Sequence, residues 1–232
     1  MLRSICLLAL LALPAAASAQ GAPLQLQPPK RPAATTPGKP APATPGGTAC
    51  LTLDRETAIA KANDTLNAAV LMNADFVQIG GDGQRTEGKL HVQKPGRMQF
   101  AYAAPASLEI RADGTSVAVI DRKLKTQDLY FIGQTPLKFL LKDHHDIARD
   151  TKVLDVTSEC RTTAIYIEDK VTLGGTSRIK LTFDTATFAL KQWKVVDPQG
   201  YETLVSLFNV DTASTPSAAL FAIEQNRYPT SK

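Results

Sequence analysis

The chain has 232 residues, the length of one domain or of two small ones. Hydrophobic residues make up 44% and charged residues 21%, which excludes a wholly disordered chain, a collagen and a coiled coil. The net charge is +4, but the cations Arg3, Lys30, Arg31 and Lys39 all precede the first acid, Asp54. The rest of the chain is therefore neutral, and the charge does not indicate a nucleic-acid partner.

Residues 1–19 have the pattern of a cleaved export signal. Arg3 precedes a short apolar run at 5–13, and small residues at 17–19 provide a cleavage site. The apolar run is too short to span a bilayer. We therefore expect an exported, soluble protein from which this segment has been removed.

Residues 20–48 are rich in proline. Eight of the fifteen prolines of the chain lie between positions 21 and 48, and this stretch has no aromatic residue. Such a segment buries too little apolar surface to offset the entropy of ordering it. We predict an extended, disordered tether that is an inert tail, with a spacer or a weak contact to anionic lipid as alternatives. The folded domain is expected at residues 49–232.

Two cysteines, Cys50 and Cys160, follow the export signal. Export leads to an oxidising compartment, where an even number of cysteines favours a disulfide. Two free buried thiols are the alternative. The sequence contains no Cys-x-x-Cys redox motif.

The first predicted element is a helix over 54–70. Ala58, Ala62 and Leu66 recur there at helical spacing, and Asp54 is a candidate N-cap. After this helix the apolar period changes to two, which is typical of strands with one buried face. The expected strands lie at or near 72–79, 86–94, 97–102, 108–110, 117–119, 129–131, 152–158, 161–169, 177–184, 188–197 and 202–210.

Short turns join most of these strands, which indicates an antiparallel meander. Residues 135–149 interrupt it with helical spacing at Leu137, Leu140 and Leu141, and Pro136 suits the first position of a helix. The pattern predicts a mainly β (α+β) fold: a strongly curved antiparallel sheet of about eleven strands, with helices covering an apolar concavity. Which face of the sheet is concave is left open.

Two polar clusters each allow two interpretations. The run DHHD at 143–146 could bind a metal, but adjacent side chains of a helix point about 100° apart, so a solvated helix face is favoured. Arg122, Lys123 and Lys125 form a basic turn. This turn is either a contact with a partner or a membrane, or a solvated hairpin tip.

Signals of catalysis are absent from the sequence. It has no Gly-x-Ser-x-Gly, no His-Glu-x-x-His and no P-loop. The glycine-rich stretch at 80–83 joins two amphipathic strands and is interpreted as a hairpin turn. We predict a protein that is not an enzyme and that uses no cofactor and no metal.

One charged residue lies on an apolar strand face. By parity, Lys94 shares the face of Leu90 and Val92, beside the turn that begins at Pro95. We expect its stem to pack on apolar surface and its ammonium to stay in water at the rim of the concavity. There it could donate to a carbonyl of a ligand; an ordinary turn lysine is the alternative.

Several segments together resemble the LolA family of periplasmic carriers of outer-membrane lipoproteins. They are MNADFVQ at 72–78, GKLHVQKPGRMQF at 88–100, ADGT at 112–115, DRKLKTQ at 121–127, QTPLKFLL at 134–141, LKQW at 190–193 and DPQG at 197–200. The resemblance extends over about residues 51–224. It implies an incomplete barrel of eleven strands with a helical lid over an apolar cavity.

The resemblance also implies site residues. In the family a basic residue just before the proline of the second segment is needed to accept and hand on cargo, and Lys94 holds that position. Strand parity within the implied fold predicts a cavity lined by Leu90, Val92, Met98, Phe100, Tyr102, Leu108, Ile110 and Trp193. The predicted lid residues are Leu137, Phe139 and Leu140.

The implied function is a soluble periplasmic carrier that binds the acyl chains of lipoproteins and delivers them to the outer membrane. The implied partners are acylated lipoproteins, an inner-membrane ABC transporter that releases them, and an outer-membrane acceptor or the outer membrane itself. We expect a monomer with no nucleic-acid partner. The alternative is a periplasmic sensor or binder of acyl ligands on the same fold, without shuttling.

Overall fold

A computed structural model of the protein describes residues 50–224. The predicted export signal at 1–19 and the predicted tether at 20–48 lie outside the described residues.

The described residues form one sheet of eleven antiparallel strands, which confirms the predicted mainly β fold. The strands are β1 Leu71–Gly80, β2 Arg85–Gln93, β3 Arg97–Tyr102, β4 Leu108–Asp113, β5 Ser116–Asp121, β6 Thr126–Phe131, β7 Lys152–Ser158, β8 Thr162–Thr172, β9 Gly175–Asp184, β10 Leu190–Val196 and β11 Glu202–Asp211. Their order across the sheet is β6-β5-β4-β3-β2-β1-β11-β10-β9-β8-β7. Consecutive strands are therefore adjacent in the sheet, except β6 and β7, which lie at its two edges. The pairing of β1 with β11 joins the first and last strands of the chain.

Helix α1, Arg55–Ala68, precedes the sheet, as the apolar spacing predicts. Asp54 caps it, because one carboxylate oxygen accepts a hydrogen bond of 2.9 Å from the backbone N–H of Thr57. Ala58, Ala62 and Leu66 form its buried face. Two of these side chains are alanines, so the helix can lie close against the sheet.

The sheet is strongly curved, and ring contacts identify its concave face. Phe100 on β3 and Trp193 on β10 are four strand positions apart, which is about 19 Å in a flat sheet. Their ring centroids are only 6.4 Å apart. The two strands therefore face each other across the interior, and both rings lie on the concave face.

Gly88 makes room for this interior. It pairs with Phe76 on one side and with Tyr102 on the other. The Phe76 ring lies edge-on to the rings of Phe100 and Tyr102, with centroid distances of 5.0 and 5.1 Å. A Cβ atom at Gly88 would lie 2.9 Å from Cε1 of Phe76 and would overlap the backbone carbonyl of Ala101.

We expect Gly88→Ala to lower the free energy of unfolding by about 3 kcal/mol, because neither the Ala101 backbone nor the packed Phe76 ring can move freely. Urea denaturation measures this. Gly133→Ala is the matched control, since a Cβ atom there meets nothing within 4 Å. Equal midpoints for the two variants would contradict the steric argument.

The segment between β6 and β7 differs from the single helix predicted to begin at Pro136. It contains a 3-10 turn, Ile132–Gln134, and two short helices, α2 Lys138–Leu141 and α3 Ile147–Asp150. Lys142 has an extended backbone that ends α2. At the break, the last carbonyl of α2, on Leu141, accepts a hydrogen bond of 2.9 Å from the N–H of Gly96 in the β2–β3 turn. No helix within residues 50–224 is long and apolar enough to cross a membrane.

The chain after β11 crosses the convex face of the sheet. Asn73 donates to the carbonyl of Ser214, Arg111 to that of Ala222 and Gln127 to that of Glu224, at 2.7, 2.9 and 3.1 Å. The three donors lie on β1, β4 and β6, which are progressively further from β11. The segment therefore runs across half of the sheet. A 3-10 turn of this segment, Ala218–Phe221, lies on this face.

Candidate functional site

The structure brings the predicted cavity residues together on the concave face. Six are buried and two are partly buried against the same core: Leu90, Val92, Met98, Phe100, Tyr102 and Trp193, with Leu108 and Ile110 at the margin. The concave face therefore has an apolar, aromatic lining that reaches from β4 to β10.

Strand β1 adds lining residues that the sequence analysis missed. Met72, Ala74, Phe76 and Gln78 are buried and alternate along the strand on the concave side. Their period of two was a sufficient signal, but the predicted list drew on β2 to β4 and β10. The list therefore omitted the strand at the centre of the interior.

A polar pair lies within this lining. The hydroxyl of Tyr102 donates a hydrogen bond of 2.8 Å to the side-chain carbonyl of Gln78. Burial raises the pKa of Tyr102, and the bond to Gln78 opposes this only in part. Both groups are neutral and satisfied, so the interior is uncharged here.

Helix α2 covers the interior as a lid. The ring of Phe139 packs edge-on to that of Trp193, with 5.6 Å between centroids. Leu140 is also buried, and Leu137 is partly buried. All three predicted lid residues thus contact the core, and Phe139 touches the lining directly.

Lys94 does not lie as predicted. Its ammonium was expected to be in water, but the residue is only 7% exposed and Nζ donates to the backbone carbonyl of Leu66 in the last turn of α1. The carbonyls of a helix's last turn have no partner within the helix and attract a cation. The parity of β2 was read correctly, but the approach of α1, which buries the head group, is a tertiary contact.

Burial lowers the pKa of Lys94 to about 8, although Asp143 acts in the opposite direction. The Lys94 backbone N–H also bonds to the carbonyl of Val70, 2.8 Å away, just after α1. Lys94 therefore ties the end of β2 to the end of α1 through both its backbone and its side chain.

The loop between α2 and α3 is held by hydrogen bonds to α1. The carboxamide of Asn67 accepts from the N–H of His145 at 2.7 Å and donates to its carbonyl at 3.1 Å. Asn63, one helical turn earlier, accepts from the N–H of Ile147 at 3.0 Å. The prediction of a solvated helix face at 143–146 is wrong for His145, which is buried in a loop under α1.

Burial lowers the pKa of His145 to about 4, and the cations Lys94 and Lys142 lower it further. The unfolded chain binds a proton near pH 6.5, but the folded chain does not until about pH 4. Folding is therefore expected to lose stability as the pH falls through this window. Urea denaturation at pH 7 and 4.5 should show a smaller loss for His145→Gln than for the exposed control His144→Gln. Equal losses would exclude His145 as the cause.

A second set of contacts holds the lid on the side of β8. Nζ of Lys138 on α2 lies 2.7 Å from a carboxylate oxygen of Asp169, which is buried. The carbonyl of Gln134 accepts a hydrogen bond of 2.7 Å from the N–H of Leu173 in the β8–β9 turn. The segment 132–141 therefore crosses the opening of the curved sheet and is attached at both sides.

Cys50 and Cys160 form a disulfide with a Cα–Cα distance of 4.7 Å. The bond joins the start of α1 to the β7–β8 turn. Next to it, the N–H of Leu53 donates to the hydroxyl of Ser158 at 2.9 Å. Helix α1 is thus fixed covalently at its beginning and held by hydrogen bonds from Lys94 at its end.

This arrangement suits the binding of an apolar group. The lining is aromatic and aliphatic, its few polar groups are paired, and its cover is made of helices that polar contacts hold at the edges. No cluster of three or more His, Cys, Asp or Glu side chains within residues 50–224 could hold a metal ion.

Solved structures with a similar chain course share little sequence with this protein. A LolA superfamily protein from Nitrosomonas europaea is 9% identical with a TM-score of 0.43, and the match covers 74% of this chain and 98% of that one. A DUF1329 family protein from Desulfovibrio piger is 11% identical with a TM-score of 0.44, at 75% and 98% coverage. A chain of the MucA/MucB complex from Pseudomonas aeruginosa is 14% identical with a TM-score of 0.41. That match covers 75% of this chain and 63% of the other one.

No curated protein matches the sequence. The model of the family described as outer membrane lipoprotein carrier protein LolA matches residues 67–224, from the end of α1 to the segment on the convex face. The match includes the whole sheet, the lid and the Lys94 position. The chain belongs to the LolA family.

Proposed function

We propose that the protein is a periplasmic carrier that takes up the acyl chains of lipoproteins released from the inner membrane and delivers them to the outer membrane. The observation that carries the proposal is the apolar concave face covered by α1 and α2. A second sheet would close such a core permanently. Helices attached by edge contacts can move away and return.

The size of the apolar load explains why a carrier is needed. Each methylene of an acyl chain in water costs about 0.8 kcal/mol, so the three chains of a lipoprotein together cost tens of kcal/mol. The lining from Phe76 to Trp193 offers an apolar surface of the required kind. Uptake then exchanges the contacts of the lid with the lining for contacts with the acyl chains.

Release requires that the closed, empty state be stable as well. In the structure α1 and α2 are closed over the interior, and the bond from Lys94 to the Leu66 carbonyl of α1 and the contact of Phe139 of α2 with Trp193 are both present. They stabilise the protein after the cargo has left. We infer that these contacts compete with the acyl chains and keep binding reversible.

The partners follow from this role. The cargo comes from an inner-membrane ABC transporter that releases lipoproteins, and it goes to an outer-membrane acceptor or to the outer membrane itself. The protein acts as a monomer and catalyses no reaction.

The single tryptophan of the chain allows a direct test of acyl binding. Trp193 is buried in the lining, so a triacylated lipopeptide with brominated chains should quench its fluorescence and saturate at one ligand per protein. The control is Trp193→Phe combined with Phe131→Trp. It moves the tryptophan to position 131, where the native phenylalanine is 65% exposed. Quenching of the control but not of the native protein would refute binding in the concave interior.

A second assay separates a carrier from a sensor of acyl ligands. Spheroplasts with labelled lipoproteins are incubated with the purified protein. A carrier releases lipoprotein into the supernatant as a one-to-one complex, and its depletion from cells leaves lipoproteins at the inner membrane. Quenching of Trp193 without release, and without retention in depleted cells, would favour the sensor.

A further inference from the structure

The turn between β5 and β6 is a basic tip with an apolar apex. It consists of Arg122, Lys123, Leu124 and Lys125, and all four side chains are exposed. Leu124 is 62% exposed although it is large and aliphatic. We call these four residues the β5–β6 tip.

The β5–β6 tip has a defined backbone. One carboxylate oxygen of Asp121 accepts hydrogen bonds from the N–H groups of Lys123 and Leu124, at 2.8 and 3.0 Å, and from the Ser107 hydroxyl, at 2.9 Å. Lys125 has a φ of 55°, which turns the chain into β6. The backbone of the turn therefore holds Leu124 at the apex.

The acids near the β5–β6 tip are already engaged. Asp121 is occupied by the three hydrogen bonds of the turn. Glu109 is buried and accepts from Gln99 at 2.7 Å and from Arg111 at 2.6 Å, whereas Arg122 is 4.0 Å away. The tip therefore presents a surplus of positive charge.

We infer that the β5–β6 tip docks on the surface of a bilayer that contains anionic phospholipid. Leu124 enters the interface, and the three cations contact lipid phosphates. Cationic residues around an apolar side chain are the usual features of an interfacial contact. A protein partner fits less well, because a stable protein interface needs about 800 Å² on each side and four residues of one turn offer far less.

The β8–β9 turn provides a comparison. Val171 at the end of β8 and Leu173 in the β8–β9 turn are 67% and 54% exposed, but Lys170 is the one cation among residues 169–175. Apolar exposure is therefore similar at both turns, and the positive charge distinguishes the β5–β6 tip.

Vesicle sedimentation of the full-length exported protein without cargo tests the inference. We expect binding to vesicles of equal parts phosphatidylglycerol and phosphatidylcholine, and weak binding to pure phosphatidylcholine. Replacing Arg122, Lys123 and Lys125 by glutamine should weaken binding about fivefold per cation, or about a hundredfold in total. Leu124→Ser should weaken it about tenfold, because roughly half of a leucine transfer is lost.

Two controls match these variants. Replacing Lys152, Lys170 and Lys191 by glutamine removes the same charge from exposed positions elsewhere. Val171→Ser removes a similarly exposed apolar side chain. Both should bind vesicles nearly as well as the native protein, and all variants should keep the native melting temperature.

Three outcomes would overturn the inference: no binding to anionic vesicles, equal binding by the tip and control variants, or tip variants that lose binding to the purified transporter while they still bind vesicles. The last outcome would assign the tip to a protein partner. Quenching of Trp193 by the lipopeptide is measured in the tip variants as well. Native quenching shows that acyl binding is intact, so a failure of this inference is distinguished from a failure of the proposed carrier function.

Discussion

Replacing both Cys50 and Cys160 by serine is expected to lower the free energy of unfolding by about 4–5 kcal/mol. The two cysteines are 110 residues apart. Opening a loop of that length raises the entropy of the unfolded chain, and this stabilises the unfolded state by the stated free energy. The loss is a large part of the 5–15 kcal/mol that stabilises an ordinary domain. The variant should therefore be close to unfolding at 37 °C.

The position of the disulfide makes the effect larger for α1 than for the sheet. The bond ties the chain before α1 to the β7–β8 turn. Nearby, the N–H of Leu53 donates to the Ser158 hydroxyl and the guanidinium of Arg55 to the Val153 carbonyl, each at 2.9 Å. Without the covalent link, the beginning of α1 depends on these bonds and on the small buried face of the helix. Hydrogen exchange should therefore rise first in α1.

Urea denaturation with and without dithiothreitol measures the contribution. The native protein should lose stability on reduction, and the double serine variant should be unaffected by the reductant. If native and variant proteins unfold at the same urea concentration under oxidising conditions, the disulfide does not stabilise the fold.

The Lys94→Leu variant is expected to fold normally but to retain acyl cargo about 10–100-fold more tightly and to deliver it poorly. A hydrogen bond from a charged donor contributes about 1.5–3 kcal/mol. In this protein that bond, from Lys94 to the Leu66 carbonyl, forms when α1 is closed over the interior. Its loss destabilises the closed, empty state and shifts the balance toward the cargo-bound state.

The fold should tolerate the change because the ammonium is costly to bury. Burial lowers the pKa of Lys94 to about 8, which is the sign of an unfavourable environment for the charge. Leucine fills part of the same space without that cost. We therefore expect the variant to fold, with a free energy of unfolding that falls by no more than the about 1.5–3 kcal/mol of the lost hydrogen bond.

Transfer from a preloaded complex to outer-membrane vesicles measures delivery, and quenching of Trp193 measures affinity. Lys61→Leu is the matched control, since Lys61 is an exposed lysine of α1. Lys94→Arg keeps a cationic donor and should restore much of the transfer. If Lys94→Leu and Lys61→Leu deliver cargo at the same rate, Lys94 has no part in release.

Much of the local structure could be predicted without the fold. The alternation in β2 and β3 identifies Leu90, Val92, Met98 and Phe100 as one buried face, because adjacent residues of a strand point to opposite sides. Asp54 identifies the start of α1 for a similarly local reason, since its carboxylate bonds only three residues ahead. Local geometry decided these features, and local sequence therefore predicts them.

The candidate site depended on contacts between distant segments. Single-strand parity cannot say which face of a sheet is concave, and the contact between Phe100 and Trp193 decides it here. Helical spacing predicts one helix after Pro136, but the bond between Gly96 and Leu141 accompanies its early end. Such contacts join positions far apart in the chain, so no window of sequence contains both partners.

Periodicity and short motifs are local properties, and they were enough to predict the strands, their buried face, the start of α1 and the resemblance to the LolA family. Two features came from tertiary contacts: α1 approaches the head group of Lys94, and Asn67 of the same helix bonds to the backbone of the buried His145. The physical reason is that burial of a polar group depends on what packs over it. For Lys94 and His145 that neighbour is α1, which lies 28 and 78 residues away in the chain at the contacts with Leu66 and Asn67.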